Sequence, residues 1–254
     1  MRALLTALAF WVCAPQAHAE DAVQTLTYDL IVNGAVVGHR DVRIHYMEPL
    51  NIGDADSRLI ETWTEADARL WGMSTEFQNR SSGHVTNADS NFTSLVSLNG
   101  DRSEVQGYSL PDGRWELSGV ANGHLSSWPL RRTEVDMSSL DLLDPVRSQH
   151  LTTLSTAQVL SVETGTVLRG PVTDLGERTI EIGGESVTVH VWSWQPPEGH
   201  FEFAWSQDGL LLDWQANIKG QTVHGRLQEI PPPRSYGAAA IFSSEMPTVA
   251  EEEL

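Results

Sequence analysis

Asn33-Gly34, Asn99-Gly100, Asp112-Gly113, Asn122-Gly123, Gly183-Gly184 and Asp208-Gly209 punctuate the chain. Each suits a tight turn that needs positive φ, a region Gly, Asn and Asp reach at low cost. Between these turns the residues alternate. Leu26, Tyr28, Leu30 and Val32 are apolar on one side, and after the turn Val42, Ile44 and Tyr46 alternate with Asp41, Arg43 and His45. A period of two with turns at its ends is a half-buried hairpin, and its repetition predicts a mainly β protein. Strands are expected over 57–68, 70–80, 92–98, 102–110, 114–120 and 124–130, then again over 165–168, 177–182, 187–194, 201–205, 210–218 and 222–230.

The period breaks between about Asp136 and Ser161. Ser138-Ser139-Leu140-Asp141-Leu142-Leu143-Asp144-Pro145 has hydroxyls at its start and a proline at its end, which predicts a short helix. His150–Val162, loosely periodic, is expected as a second helix. Pro231-Pro232-Pro233 ends the sheet, because proline cannot donate to a ladder. One β-rich domain is expected over 22–232, since β domains of this length fold as one unit. Residues 233–254 close on Glu251-Glu252-Glu253 with few apolar anchors and are expected to be a disordered acidic tail.

Residues 1–19 have the form of a secretory signal peptide. Met1-Arg2 is positive, Leu4 to Val12 is apolar, and Ala17 and Ala19 are small residues ahead of a cleavage point. The apolar run falls short of the about 20 residues that span a bilayer, so no stable transmembrane anchor is expected. The one cysteine, Cys13, lies in that segment, which leaves the rest without disulfide, thiolate ligand or thiol nucleophile. These features predict a periplasmic or secreted protein. The net charge of −18 repels nucleic acid, whose binding requires Lys and Arg against phosphates.

Several pieces now stand in a recognisable order. "YDLIVNGAVVGHRDVRI" is a hairpin with Tyr28, Gly34 and Gly38. "SSLDLLDPVR" follows a meander, and "GGESVTVHVWSW" leads to "FEFAWSQDGLLLDWQ" with Trp205, Asp208 and Gly209. The chain resembles a family of secreted bacterial β-rich proteins of unknown function over most of residues 25–230. Ser206, where an aromatic is usual, and Leu210-Leu211 depart from the pattern. The resemblance implies a strongly curved antiparallel sheet or open barrel with one or two short helices, similar to the periplasmic lipoprotein carriers that hold acyl chains. A β-sandwich is the alternative. The family supplies no catalytic residue.

Candidate chemistry is sparse. His39, Asp41, Arg43 and His45 share the polar face of a strand that belongs in water. His190, His200 and His224 come from separate strands without the short ligand spacing of a metal site. Asp141 with Asp144 is expected to serve a helix start and its solvent face, and Glu202 with Asp213 to lie on outer strand faces; neither pair makes a strong acid–base candidate. Ser206 belongs to turn chemistry, and no Gly-x-Ser-x-Gly elbow, phosphate loop or dinucleotide fingerprint is present. No cofactor and no metal are expected.

Tryptophan carries the functional expectation. Of nine, eight lie beyond the N-terminal segment: Trp63, Trp71, Trp115, Trp128, Trp192, Trp194, Trp205 and Trp214. Trp192 and Trp194 share one face and Val187, Val189 and Val191 the other, so this strand needs cover on both sides. Phe201, Phe203 and Trp205 share a face, as do Leu210, Leu212 and Trp214, with Leu211 opposite. The rings either complete the core or floor a groove. Trp128, Trp192, Trp194, Trp205 and Leu212 are the candidate lining, with Trp128 and Trp192 at the mouth. The expected function is non-enzymatic: a binding or carrier-like protein whose partner is a lipid or other apolar small molecule. A structural or accessory protein of a cell-envelope assembly, with an envelope protein as partner, is the alternative, and a hydrolase with dispersed residues the third.

Overall fold

The computed structural model describes residues 22–47, 57–70, 73–86, 90–121, 124–218 and 220–232. The proposed signal segment, the acidic tail and Trp71 lie outside the described residues. The first eight strands are β1 (Ala22–Val32), β2 (Ala35–Met47), β3 (Ser57–Leu70), β4 (Met73–Thr86), β5 (Ser90–Leu98), β6 (Asp101–Ser109), β7 (Trp115–Ala121) and β8 (His124–Leu130). A crossover then carries the two-residue β9 (Met137–Ser138) and one helical turn, α1 (Ser148–Leu151). The remaining strands are β10 (Thr156–Leu160), β11 (Val167–Ile182), β12 (Glu185–Trp194), β13 (Gly199–Trp205), β14 (Leu211–Ile218) and β15 (Gln221–Leu227).

All fifteen strands belong to one sheet, in the order β8-β7-β6-β5-β4-β3-β2-β1-β15-β14-β13-β12-β11-β10-β9. The chain therefore starts at the middle, meanders out to one edge, crosses to the other, and meanders back until β15 pairs with β1. Tyr28 lies opposite Leu227 and Leu30 opposite Gly225 at that seam. Every pairing is antiparallel except β9 with β10. Edge strands β8 and β9 follow one another in sequence but are not hydrogen-bonded neighbours, so the curved sheet is an open barrel and not a sandwich.

The buried face is built by alternation. Leu26, Tyr28, Val42, Ile44, Ile60, Val85, Phe92, Leu117 and Leu227 point into one core. At the hairpin tips Asn33 and Asn99 take φ of 52°, each followed by a glycine at positive φ, which is the primed turn that suits the twist of the two strands. The β11–β12 ribbon continues past the end of β13, and Ile182, Val189 and Val191 of its other face join the same core. Its tip reaches the segment after β15, since a Cβ on Gly183 would lie 3.5 Å from the Gln228 carbonyl oxygen.

Three expectations are corrected. Residues 138–145 are not a helix but successive turns, with amides of Asp141, Leu143 and Asp144 donating to carbonyls three residues back. Ser138 and Asp141 bond each other's side chain and backbone there, in competition with helix formation. His150–Val162 is not a second helix: within it only His150 and Leu151, the end of α1, are helical, and Thr156–Leu160 is a strand with Ala157 and Val159 buried. In β14 the alternation is broken by a bulge. Trp205 faces Leu211 while Ala204 faces Asp213, so Leu212 is extra and Leu211 shares the side of Trp205.

Candidate functional site

The crossover fills the interior. Met137, Leu140, Leu142 and Leu143 are buried within the core. One ion pair ties it to the sheet and a second braces it internally. The Arg58 Nε of β3 donates to Asp144 with both side chains buried, and Arg147 Nε lies 3.2 Å from the buried Asp141. Asp144 also accepts the amides of Val146 and Arg147 at 2.8 and 3.0 Å, and Asp141 accepts the Ser138 amide at 2.6 Å. These two carboxylates therefore do not serve a solvent face, as their i, i+3 spacing suggested. Burial pushes the Asp141 carboxyl up from its ordinary value, opposed by the Arg147 guanidinium and the Ser138 hydrogen bonds.

The turn after β13 docks on the same crossover. Gly209 sits at φ 78° with its Cα against Pro145, where a Cβ would meet the Pro145 carbonyl oxygen at 2.0 Å. Ser148 Oγ donates to the Gly209 carbonyl at 3.4 Å, and Ser206 Oγ accepts the Leu210 amide at 3.1 Å. That turn and α1 thus form one wall.

Between this wall and β11–β13 lies a cleft of about 400 Å³. Trp192 and Trp205 line it, with His190 between them: His190 is cross-strand from Trp205 and stacks on Trp192 at 5.5 Å and 26°. His190 Nε2 is 2.6 Å from Asp174 Oδ1. The Gly176 amide and His190 hold the Asp174 carboxyl below its ordinary value. Glu177 and Thr188 complete the strand side, and Gln149, Thr152 and Gln207 the opposite side.

The aromatic residues form a ladder. Trp194 and Phe201 are 5.1 Å apart, Phe201 and Phe203 6.4 Å, Phe203 and Trp205 5.3 Å. Its members differ in access. Trp194 is 3% exposed and donates its indole N–H to Ala157, while Trp205 donates to the Leu142 carbonyl and reaches the cleft with little of its surface. Leu212 is 2% exposed, away from the cleft lining. Trp128 is not part of this lining: it packs on Gly165 and Gly119 and donates to the Gly165 carbonyl at 3.3 Å. Of the five candidates, Trp192 and Trp205 are the two brought together at an open site.

His190, Glu177, Gln149 and Gln207 were not singled out as lining. A period-two reading places His190 beside Trp192; Glu177 is brought opposite His190 by the β11–β12 hairpin, Gln207 follows Trp205 in the turn after β13, and only Gln149 is supplied by the crossover. The histidines do not converge. His190 pairs with Asp174, His224 with Asp213 at 2.7 Å, His45 with Glu61 at 3.0 Å, and His200 lies 3.8 Å from Glu202. Among the described residues no group of three potential metal-ligating side chains is assembled. No described helix is long and apolar enough to cross a membrane.

The fold and its open sheet define a β-barrel-like protein. The chain is similar to the β-barrel-like protein of the domain of unknown function DUF1849 from Brucella abortus, with a TM-score of 0.59 and 9% identity, covering 83% of this chain and 98% of that one. That likeness is one of fold, and it agrees with the curved β-rich family expected from the sequence. A protein described as exported, with a YmcC-like fold, from Bacteroides fragilis aligns at a TM-score of 0.36 and 8% identity over 83% of this chain and 95% of that one. A chain of the Pseudomonas aeruginosa MucA/MucB complex aligns at 0.29 and 16% identity, over 85% of this chain and 54% of that one. No family model and no curated protein matches the chain.

Proposed function

We propose that the protein is an exported, non-catalytic binding protein that holds a small ligand by an apolar face against Trp192. The observation that carries this reading is the cleft itself. Trp192 and Trp205, with His190 between them, line an opening of about 400 Å³, within the roughly 300–1,000 Å³ usual for small-molecule sites. Export rests on the N-terminal segment from Met1 to Glu20. The groove of the sequence reading is narrowed to this cleft, because Leu140, Leu142 and Leu143 occupy the interior. Apolar contact contributes about 25 cal/mol per Å² before ordering costs, so the guest must use the rim as well as the ring.

Native mass spectrometry of the protein purified from its own compartment tests the reading. Retention of a small molecule by the wild type, lost in Trp192→Ala, is expected. A wild type that neither retains nor binds any small molecule through Trp192 sinks it.

A second reading, an accessory protein of an envelope assembly, is favoured by one surface feature. Trp63, Arg80, Leu95, Glu104, Val120 and Leu125 are consecutive cross-strand neighbours from β3 to β8. Outward positions in such a row are usually polar, yet Trp63 is 48% and Leu125 77% exposed. Chemical crosslinking from position 125 to a single envelope protein, abolished by Trp63→Ser, supports that reading.

A further inference from the structure

The walls of the cleft say more about its guest than its volume does. We infer that it takes an uncharged saccharide, an inference that rests on the cleft being a binding site. No lysine or arginine lines it; Glu177 is its one carboxylate, and His190 is turned to Asp174. A fatty-acid carboxylate, phosphate or nucleotide would enter a site with no countercharge, on a chain of net charge −18. An acyl chain asks for an enclosed apolar channel, and here most wall residues carry a hydroxyl, amide or carboxylate.

Sugars present the opposite pattern. The axial C–H bonds of a pyranose make one apolar face, while hydroxyls ring the edge. Trp192 offers the platform for that face, oriented by the His190 ring stacked on it. The edge would meet Glu177, Thr188 and Gln207, whose side chains make no hydrogen bond among the described residues and line the same opening. Amide and carboxylate side chains are planar and present two hydrogen-bonding atoms each, which suits vicinal hydroxyls. Gln149 lies on the opposite wall, tied only by a 3.5 Å contact to the Pro145 carbonyl. One or two sugar rings fit this space. A longer glycan would run out along the open side.

Titration of the full chain with maltose, cellobiose and N,N′-diacetylchitobiose, followed by tryptophan fluorescence and saturation-transfer NMR, tests the inference. Lauryldimethylamine oxide, an amphiphile without a sugar, runs in parallel. At least one sugar is expected to bind saturably, with Trp192→Ala and Gln207→Ala each weakening it about tenfold, the scale of one lost platform or hydrogen-bonded contact. Trp63→Ala should change nothing. Gln207 is an exposed turn residue, so its variant keeps the test valid if Trp192→Ala fails to fold. Sugar binding unaffected by either cleft variant overturns the inference. Trp192-dependent binding of the amphiphile without any sugar also overturns it but leaves the cleft reading standing. No Trp192-dependent binding of either kind ends both.

Discussion

Gly209 packs so closely on Pro145 that a single added carbon would overlap the proline carbonyl oxygen. The contact joins the β13–β14 turn to the crossover, which together form one wall of the cleft. Gly209 also sits at positive φ, so a side chain is opposed twice. Gly209→Ala should cost more than about 2 kcal/mol in urea denaturation. Gly100 supplies the control: its φ is 88° but nothing lies within 4 Å of its missing Cβ. Gly100→Ala should cost only about 1 kcal/mol. Equal losses would show that the Pro145 contact relaxes freely.

Arg58 should be hard to remove alone. Arg58→Met leaves Asp144 charged and buried without its guanidinium, a change worth about 3–5 kcal/mol. Replacing both, Arg58→Met with Asp144→Leu, should cost less than Arg58→Met by itself. The comparison is read from denaturant midpoints, and a double variant that loses the sum of the two single effects would show that the pair is not coupled.

Asp141 gives the ion cluster a pH signature. Its folded carboxyl holds its proton to higher pH than the unfolded chain does. Between those two values the folded state is the more protonated, so this group's contribution to stability falls as pH rises and levels off above the folded value. Asp141→Asn removes the titration. The variant's stability relative to wild type should therefore climb with pH across that window and then stay flat. A pH-independent difference would mean that Asp141 titrates alike in both states.

Tyr28 tests the seam at the middle of the sheet. Its hydroxyl donates to the Leu211 carbonyl at 2.6 Å in full burial, and burial pushes its ionisation well above the ordinary tyrosine range. Tyr28→Phe leaves that carbonyl without its partner and should cost about 1–3 kcal/mol by thermal or chemical denaturation. Spectral titration should show Tyr28 ionising only with unfolding.

Trp192 and Trp194, two residues apart on one face, should separate binding from stability. Trp194→Ala removes a buried ring packed on Phe201 and hydrogen-bonded to Ala157 of β10 and should cost about 3–5 kcal/mol. Trp192→Ala should cost much less and act on binding. Matching losses of stability with no effect on binding would make both rings core.

The legible part of this molecule was its strand order in sequence and its turns, because both are local. Asn33-Gly34 and Asn99-Gly100 carry their own geometry, and alternation from Leu26 to Val32 names the buried face. The crossover was misread because its conformation is set by distant partners. Asp141 and Asp144 look like surface residues until Arg58, on β3, and the fold of Arg147 back onto the segment are known. Leu211 and Leu212 were misassigned because a bulge is defined by the partner strand, not by the bulged one. The same reasoning holds for the cleft: Trp192 and Trp205 could be picked as aromatic and near-neighbouring, but Gln149 meets them only after the chain has crossed the sheet.

The seam between β1 and β15 also governs when this chain can finish. Because the opening strand waits for the last one, a nascent or translocating polypeptide, whichever end emerges first, holds two unzipped half-sheets until nearly its full length is free. Long-separated pairing of this kind slows folding and leaves raw strand borders open to self-association. A chaperone that shields the amino-terminal meander until Gln221–Leu227 arrives would accordingly raise the yield more than any helper acting on the completed barrel.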